Sequence, residues 1–209
     1  MEKETIYFIF TDTGTHLSRM INYYTKESLN HVSIAFDKDL TEVYSFGRTQ
    51  PRNPFSGGFV REDIRSEFLR SANCTVYSYQ LSKSECNAIL RNIKEVEASQ
   101  HNYRYNFLGL IGIMLQIEIK RKNAFFCSEF VATMLSEADS IKLSKPSYFI
   151  TPRDIRDEIG MQLIYQGKLS NYQRSSHTIE KKLVIETDLV AKQSFMFSLS
   201  KKVKQFVIR

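Results

Sequence analysis

The 209-residue chain has only three cysteines and four histidines, and neither set is spaced for a metal site or a disulfide framework. Cys74, Cys86 and Cys127 are odd in number and form no C-x-x-C pair, which argues against both disulfide bridging and zinc and fits a reducing compartment. His16, His31, His101 and His177 do not fall into an H-E-x-x-H pattern. No metal and no other cofactor is expected. Long apolar runs are missing too. The longest, Phe107 to Leu115, is well short of the roughly 20 residues a membrane helix needs, and Gln116 and Glu118 interrupt its continuation, so it is expected to be a buried helix and not a transmembrane segment. The opening Met1-Glu2-Lys3-Glu4-Thr5 lacks the basic-then-apolar order of a secretory signal, and a cytoplasmic location is expected.

Charge is unevenly placed. From Lys168 to Arg209 nine Lys or Arg stand against Glu180, Glu186 and Asp188, an excess of six that equals the whole-chain excess of +6 and leaves residues 1–167 neutral. The length suits one domain with a full hydrophobic core, expected over 1–167, followed by a basic extension over 168–209. Such an extension suits an anionic partner, whether nucleic acid, a membrane surface or an acidic protein. The plainer alternative is a solvated surface on extra strands or a helix. A strand is conceivable at Leu183 to Ile185, and Phe195 to Ile208 reads either as a basic amphipathic helix or as two short strands.

The pattern of the first 167 residues predicts an α+β arrangement. Thr5 to Phe10 is β-branched and aromatic without a break, as expected of a central strand buried on both faces. After a turn at Thr11 to Thr15, Leu17, Met20, Ile21 and Tyr24 recur at helical spacing. His31 to Phe36 and Thr41 to Phe46 form an antiparallel hairpin around Asp37 to Leu40, which brings His31 close to Tyr44, Ser45 or Phe46. Gly47 to Gly58, with Pro51, Pro54 and paired glycines, reads as an irregular loop. A strand over Cys74 to Leu81 leads into a Ser82-x-x-Glu85 capping box and a helix burying Cys86, Ile89, Leu90, Ile93 and Val96. Further helices are expected over Phe107 to Ile119, from Cys127, and from Thr151-Pro152-Arg153-Asp154, with a late strand over Gln162 to Gln166.

Cys127 opens an apolar helical stretch about a hundred residues after the strand headed by His31. A helix N-terminus and a neighbouring imidazolium both favour a thiolate, so the pair suits nucleophilic catalysis, whereas a lone cysteine is otherwise a small buried apolar residue. Asp12-Thr13-Gly14 after an apolar strand has the form of an aspartic-protease signature, but the sequence turns helical where that fold continues as strands.

Three segments carry a resemblance: Asn30-His31-Val32-Ser33-Ile34, Tyr105-Asn106, and Phe126-Cys127-Ser128-Glu129-Phe130-Val131. In this order the chain, over residues 5–166, resembles the circularly permuted papain-like cysteine hydrolases of the NlpC-type amidase superfamily. The resemblance implies an antiparallel sheet packed against helices that include the Cys-bearing one. It implies Cys127 as nucleophile and His31 as base, acting on the acyl carbonyl of a small-molecule, peptide or lipid substrate by way of a thioester. The position matching the family's histidine-orienting residue is Ser45, which carries no charge. Thr11 or Thr13 would supply the side chain near the oxyanion, beside main-chain N–H groups at the Cys127 helix start, and Tyr105 and Asn106 would support the site. A second reading keeps the same fold as a weakly active or inactive binding protein that docks on an anionic partner through residues 168–209.

Overall fold

The apolar run near the start of the chain becomes the central strand of an antiparallel sheet. In the computed structural model, which describes residues 2–12, 14, 19, 22–23, 27–49, 56–115, 117–119 and 121–172, β1 (Lys3–Asp12) lies between β2 (His31–Ala35) and β5 (Asn73–Ser82). Beyond β2 come β3 (Val43–Arg48) and β4 (Gly57–Glu62), and beyond β5 comes β8 (Gln162–Lys168), giving the order β4-β3-β2-β1-β5-β8 with every pairing antiparallel. Two short strands, β6 (Arg104–Tyr105) and β7 (Ala124–Phe125), pair in parallel. The described fold is therefore α+β. Residues Met1–Ser170 form one compact unit.

Register decides which side chains meet. Phe8 pairs with Ile34, Phe10 with Val32, and Phe46 with Phe59, so these apolar residues share one face of the sheet and join a core with the helices. Five helices are described: α1 (Glu67–Arg70), α2 (Lys83–Ala98), α3 (Phe107–Leu115), α4 (Cys127–Leu135) and α5 (Pro152–Glu158). α2 begins at the expected capping box. The Ser82 hydroxyl accepts from the Glu85 N–H at 3.3 Å, and the Glu85 carboxylate accepts from the Ser82 N–H at 3.1 Å. Its buried face carries Cys86, Ile89, Ile93 and Val96. Thr151 and Asp154 close the equivalent box on α5.

α4 is anchored by an aromatic cluster. The Phe130 ring lies 5.0 Å from that of Phe46 and 5.9 Å from that of Phe59, and Phe46 also meets Phe125 edge-on at 5.3 Å. The Ser128 hydroxyl, buried in the first turn, donates to the Ile150 carbonyl at 2.7 Å. These contacts hold the start of α4 against the end of the sheet where the chain enters β2.

Several expectations need correction. The loop expected over Gly47 to Gly58 is shorter, because Gly47 and Arg48 remain in β3 and Gly57 and Gly58 already belong to β4, with the Thr49 N–H donating to the Ser56 carbonyl at 3.0 Å. The helix expected to reach Ile119 ends at Leu115. There the chain folds back so that the Ile117 N–H donates to the Gly112 carbonyl at 2.9 Å, and a Cβ at Gly112 would stand only 2.6 Å from the Ile117 carbonyl oxygen. β8 continues to Lys168, which pairs with Asn73, so the sheet takes in the first residue assigned to the basic extension. The helix expected from Leu17, Met20, Ile21 and Tyr24, the residue Thr13, and the elements expected after Leu183 lie outside the described residues.

Candidate functional site

Cys127 is the first residue of α4. Its N-cap, Phe126, is extended and offers no side-chain acceptor, so the N–H groups of the first turn are not consumed by a cap. The first main-chain bond of the helix runs from the Phe130 N–H to the Phe126 carbonyl at 3.0 Å. The N–H groups of Cys127 and Ser128 lie ahead of it, without intrahelical acceptors, and the positive end of the helix dipole sits at the sulfur. The thiol lies 3.9 Å from the Asn30 carbonyl, to which it donates, directly before His31.

His31 heads β2, and the pleat explains its company. Ala35 pairs with Val43, Ser45 with Val60, and Val43 with Glu62, so His31, Ser33, Ser45 and Glu62 project from the same face of three neighbouring strands. His31 Nε2 and Glu62 Oε1 are 2.6 Å apart, with the two side chains 14% and 10% exposed. The Ser33 hydroxyl donates to the other Glu62 oxygen at 2.7 Å and locks the carboxylate's orientation. Gly47 lies under the imidazole, where a Cβ would come to 3.6 Å from His31 Cε1.

Electrostatics follow from this arrangement. Burial, the largest single influence, works against a charged imidazole, but the Glu62 carboxylate, the interactions with Cys127 and the hydrogen bond to Glu62 together outweigh it; His31 is raised to about 10. Burial also opposes the charge on Glu62, yet the His31 cation and the bonds from His31 and Ser33 hold its carboxyl below the usual range. Burial pushes the thiols of both Cys74 and Cys86 up to about 12, with Glu4 contributing at Cys86, which marks them as core residues.

A cleft of about 200 Å³ opens over the sulfur. Its walls include Leu29, Tyr105, Leu110, Ile113 and Pro152, with Asn30, Cys127 and Ser128 at the polar end. Glu27 and Arg153 also line it and are joined by an ion pair of 3.1 Å. Cys127 is only 4% exposed and is one of the residues that line the cleft. Among the described residues no cluster of three or more His, Cys, Asp or Glu could hold a metal ion, and no helix is long and apolar enough to cross a membrane.

Comparison of the chain with protein-family models, with curated proteins and with solved structures finds no match. The site's chemistry therefore rests on its own geometry.

The residues singled out in the sequence fare differently. Cys127 and His31 are close enough for the thiol to raise the imidazole, while the hydrogen bond the thiol itself makes is to the Asn30 carbonyl at 3.9 Å. Ser45 stands beside the imidazole, its oxygen 3.4 Å from Nε2, but its proton goes to the Val32 carbonyl at 2.9 Å, and the shorter, charged contact to the ring comes from Glu62. Thr11 pairs with His31 across β1 and β2 and is buried, and its hydroxyl has no hydrogen-bond partner among the described residues. Tyr105 lines the cleft. Asn106 instead ties two helix starts together. Its amide donates to Glu129 at 3.3 Å and its carbonyl accepts from the Gly109 N–H at 2.9 Å, while Glu129 also accepts from the Phe126 N–H at 3.3 Å. Burial raises Glu129 above the ordinary carboxylate range, and the bonds from Asn106 and Phe126 counter it.

Glu62 is the residue that the sequence did not disclose. Its strand followed a stretch taken as loop, and the available signal was the apolar pair Phe59-Val60 directly after Gly57-Gly58.

Proposed function

We propose that the protein is a cysteine hydrolase of the permuted papain-like type, cleaving an amide or ester bond through a thioester. The observation that carries this reading is the His31–Glu62 pair set beside Cys127, which is the first residue of its helix and lines a cleft. In this reading Glu62 holds His31 as the imidazolium, and the imidazolium stabilises the Cys127 thiolate. The thiolate attacks the acyl carbonyl. The oxygen that becomes negative is met by main-chain N–H groups of the first turn of α4. His31 then gives its proton to the leaving amine or alcohol, and the C–S thioester remains. In the second half, His31 takes a proton from water as the water attacks the thioester. The acid leaves, and the proton returns the pair to its starting state.

The cleft wall favours an apolar acyl portion. At about 200 Å³ the space is below the ~300 Å³ of sites that hold drug-sized ligands, so it takes a short segment of substrate. The alternative of an inactive binding protein drew on the lack of a charged partner for His31, and Glu62 supplies that partner.

The test is an acyl activity-based probe applied to the wild type, Cys127→Ala and His31→Ala. Covalent labelling of the wild type that is abolished in Cys127→Ala and reduced at least about 100-fold in His31→Ala, the low end of what a positioned acid-base group contributes, is expected. Labelling of all three at equal rate would overturn the reading.

A further inference from the structure

The outer face of α3 is unusual for a surface helix. All nine residues, Phe107 to Leu115, are apolar or glycine. Leu110 and Ile113 line the cleft, whereas Leu108, Ile111 and Leu115 point outward at 48%, 45% and 60% exposure, and Ile117 beyond the helix is 55% exposed. Leu108, Ile111 and Leu115 recur at the spacing of one helical stripe. The first three belong to the helix whose Leu110 and Ile113 line the cleft with Cys127, and the chain then runs into Lys120-Arg121-Lys122, of which Arg121 and Lys122 are exposed.

We propose that α3 and the basic segment after it form a docking surface for an anionic lipid bilayer, with α3 lying in the plane of the interface. Charge selects this occupant. A second copy of the chain, pairing its α3 in parallel with this one, would bring the two sets of exposed cations, Arg121 and Lys122, toward each other. The chain's own basic end carries the same sign and is disfavoured for the same reason. An anionic headgroup layer instead offers opposite charge beside apolar chains, matching the side-by-side order of cations and aliphatic side chains here. At nine residues the helix is about 14 Å long, less than half the hydrocarbon thickness, so it rests on the bilayer and does not cross it. Docking in this way turns the α3 wall of the cleft toward the membrane.

Vesicle co-sedimentation of the full chain tests the surface. Wild type is expected to pellet with vesicles of equimolar phosphatidylcholine and phosphatidylglycerol and to stay in solution with phosphatidylcholine alone. Each cation near such a surface strengthens binding about fivefold, so Arg121→Glu with Lys122→Glu should weaken partitioning by about 25-fold or more. Leu108→Ser with Leu115→Ser should weaken it at least about tenfold, and both pairs are exposed positions whose far-UV spectrum should match wild type. Because the chain has no tryptophan, Ile111→Trp gives a single reporter whose emission should shift to shorter wavelength on addition of the anionic vesicles. Cys127→Ala should bind like wild type, which separates docking from the hydrolase reading. Equal partitioning of wild type and the charge-reversed variant, an unshifted tryptophan, or a concentration-dependent dimer broken by Leu115→Glu without any vesicle binding would overturn the proposal.

Discussion

Replacing Glu62 by Gln keeps the size of the side chain and removes one charge, and its effect can be worked through from the geometry. In the wild type the carboxylate 2.6 Å from Nε2 is the largest of the influences that together overcome the burial of His31 and raise it to about 10, Cys127 supplying the others. Without that charge, burial, the largest single influence, is opposed only by Cys127, and His31 should titrate at or below its ordinary value of 6.5. At pH 7.5 the imidazolium would then fall from nearly all molecules to about a tenth or fewer. The direct assay is NMR of the histidine Cε1–H signals between pH 5 and pH 10.5, with assignment by His31→Gln. The wild-type His31 signal should stay in its protonated position through pH 8, whereas the Glu62→Gln signal should titrate at or below pH 6.5. Iodoacetamide should alkylate Cys127 at pH 7.5 about tenfold more slowly in the variant. Stability follows the same pair. His31, raised on folding, stabilises fully below pH 6.5 and loses that contribution as pH rises through about 10. Glu62, lowered on folding, stabilises above about pH 4.5 and loses its contribution as pH falls through its folded value. The pair's contribution is therefore complete only between about pH 4.5 and 6.5. Removing one member of a buried pair costs about 3–5 kcal/mol, and release of the His31 proton offsets part of this in the variant, so a urea-derived loss of about 3 kcal/mol at pH 6 is expected. A wild-type His31 that titrates at 6.5 or lower, or an alkylation rate indifferent to Glu62→Gln, would refute the reasoning.

Other substitutions separate structural from chemical roles. Ser45→Ala removes a hydroxyl whose proton goes to the Val32 carbonyl, so it should cost about 1 kcal/mol of stability and leave the His31 titration in place. A fall of His31 to the Glu62→Gln value would restore Ser45 as the orienting group. Asn106→Ala leaves the Gly109 N–H and the Glu129 carboxylate each short of a partner, and urea unfolding should show a loss of about 2 kcal/mol. Phe130→Ala removes a fully buried ring packed on Phe46 and Phe59 and should destabilise by about 3–5 kcal/mol in the same assay. Cys74→Ala and Cys86→Ala should leave the fast phase of alkylation at neutral pH intact, since both thiols are pushed up to about 12; loss of that phase in either would reassign the reactive thiol.

What the sequence determined by itself was local. Caps depend on side chains three residues apart, so Ser82 with Glu85 and Thr151 with Asp154 announced their helices. Strand pattern and hairpin length placed His31 next to Ser45, and the unbroken Thr5 to Phe10 run foretold a central strand. Where α3 stops was already less visible, because the chain that folds back onto Gly112 is apolar like the helix itself and periodicity has no sign for that turn. Tertiary structure alone decided the rest. The contact of Cys127 with His31 depends on the aromatic packing that seats α4 on β3 and β4, and the partnership of His31 with Glu62 depends on register across three strands. A side chain's face is written in its own strand, but which strand lies beside it is fixed by long-range packing, and that is why a carboxylate 31 residues away emerged only from the folded chain.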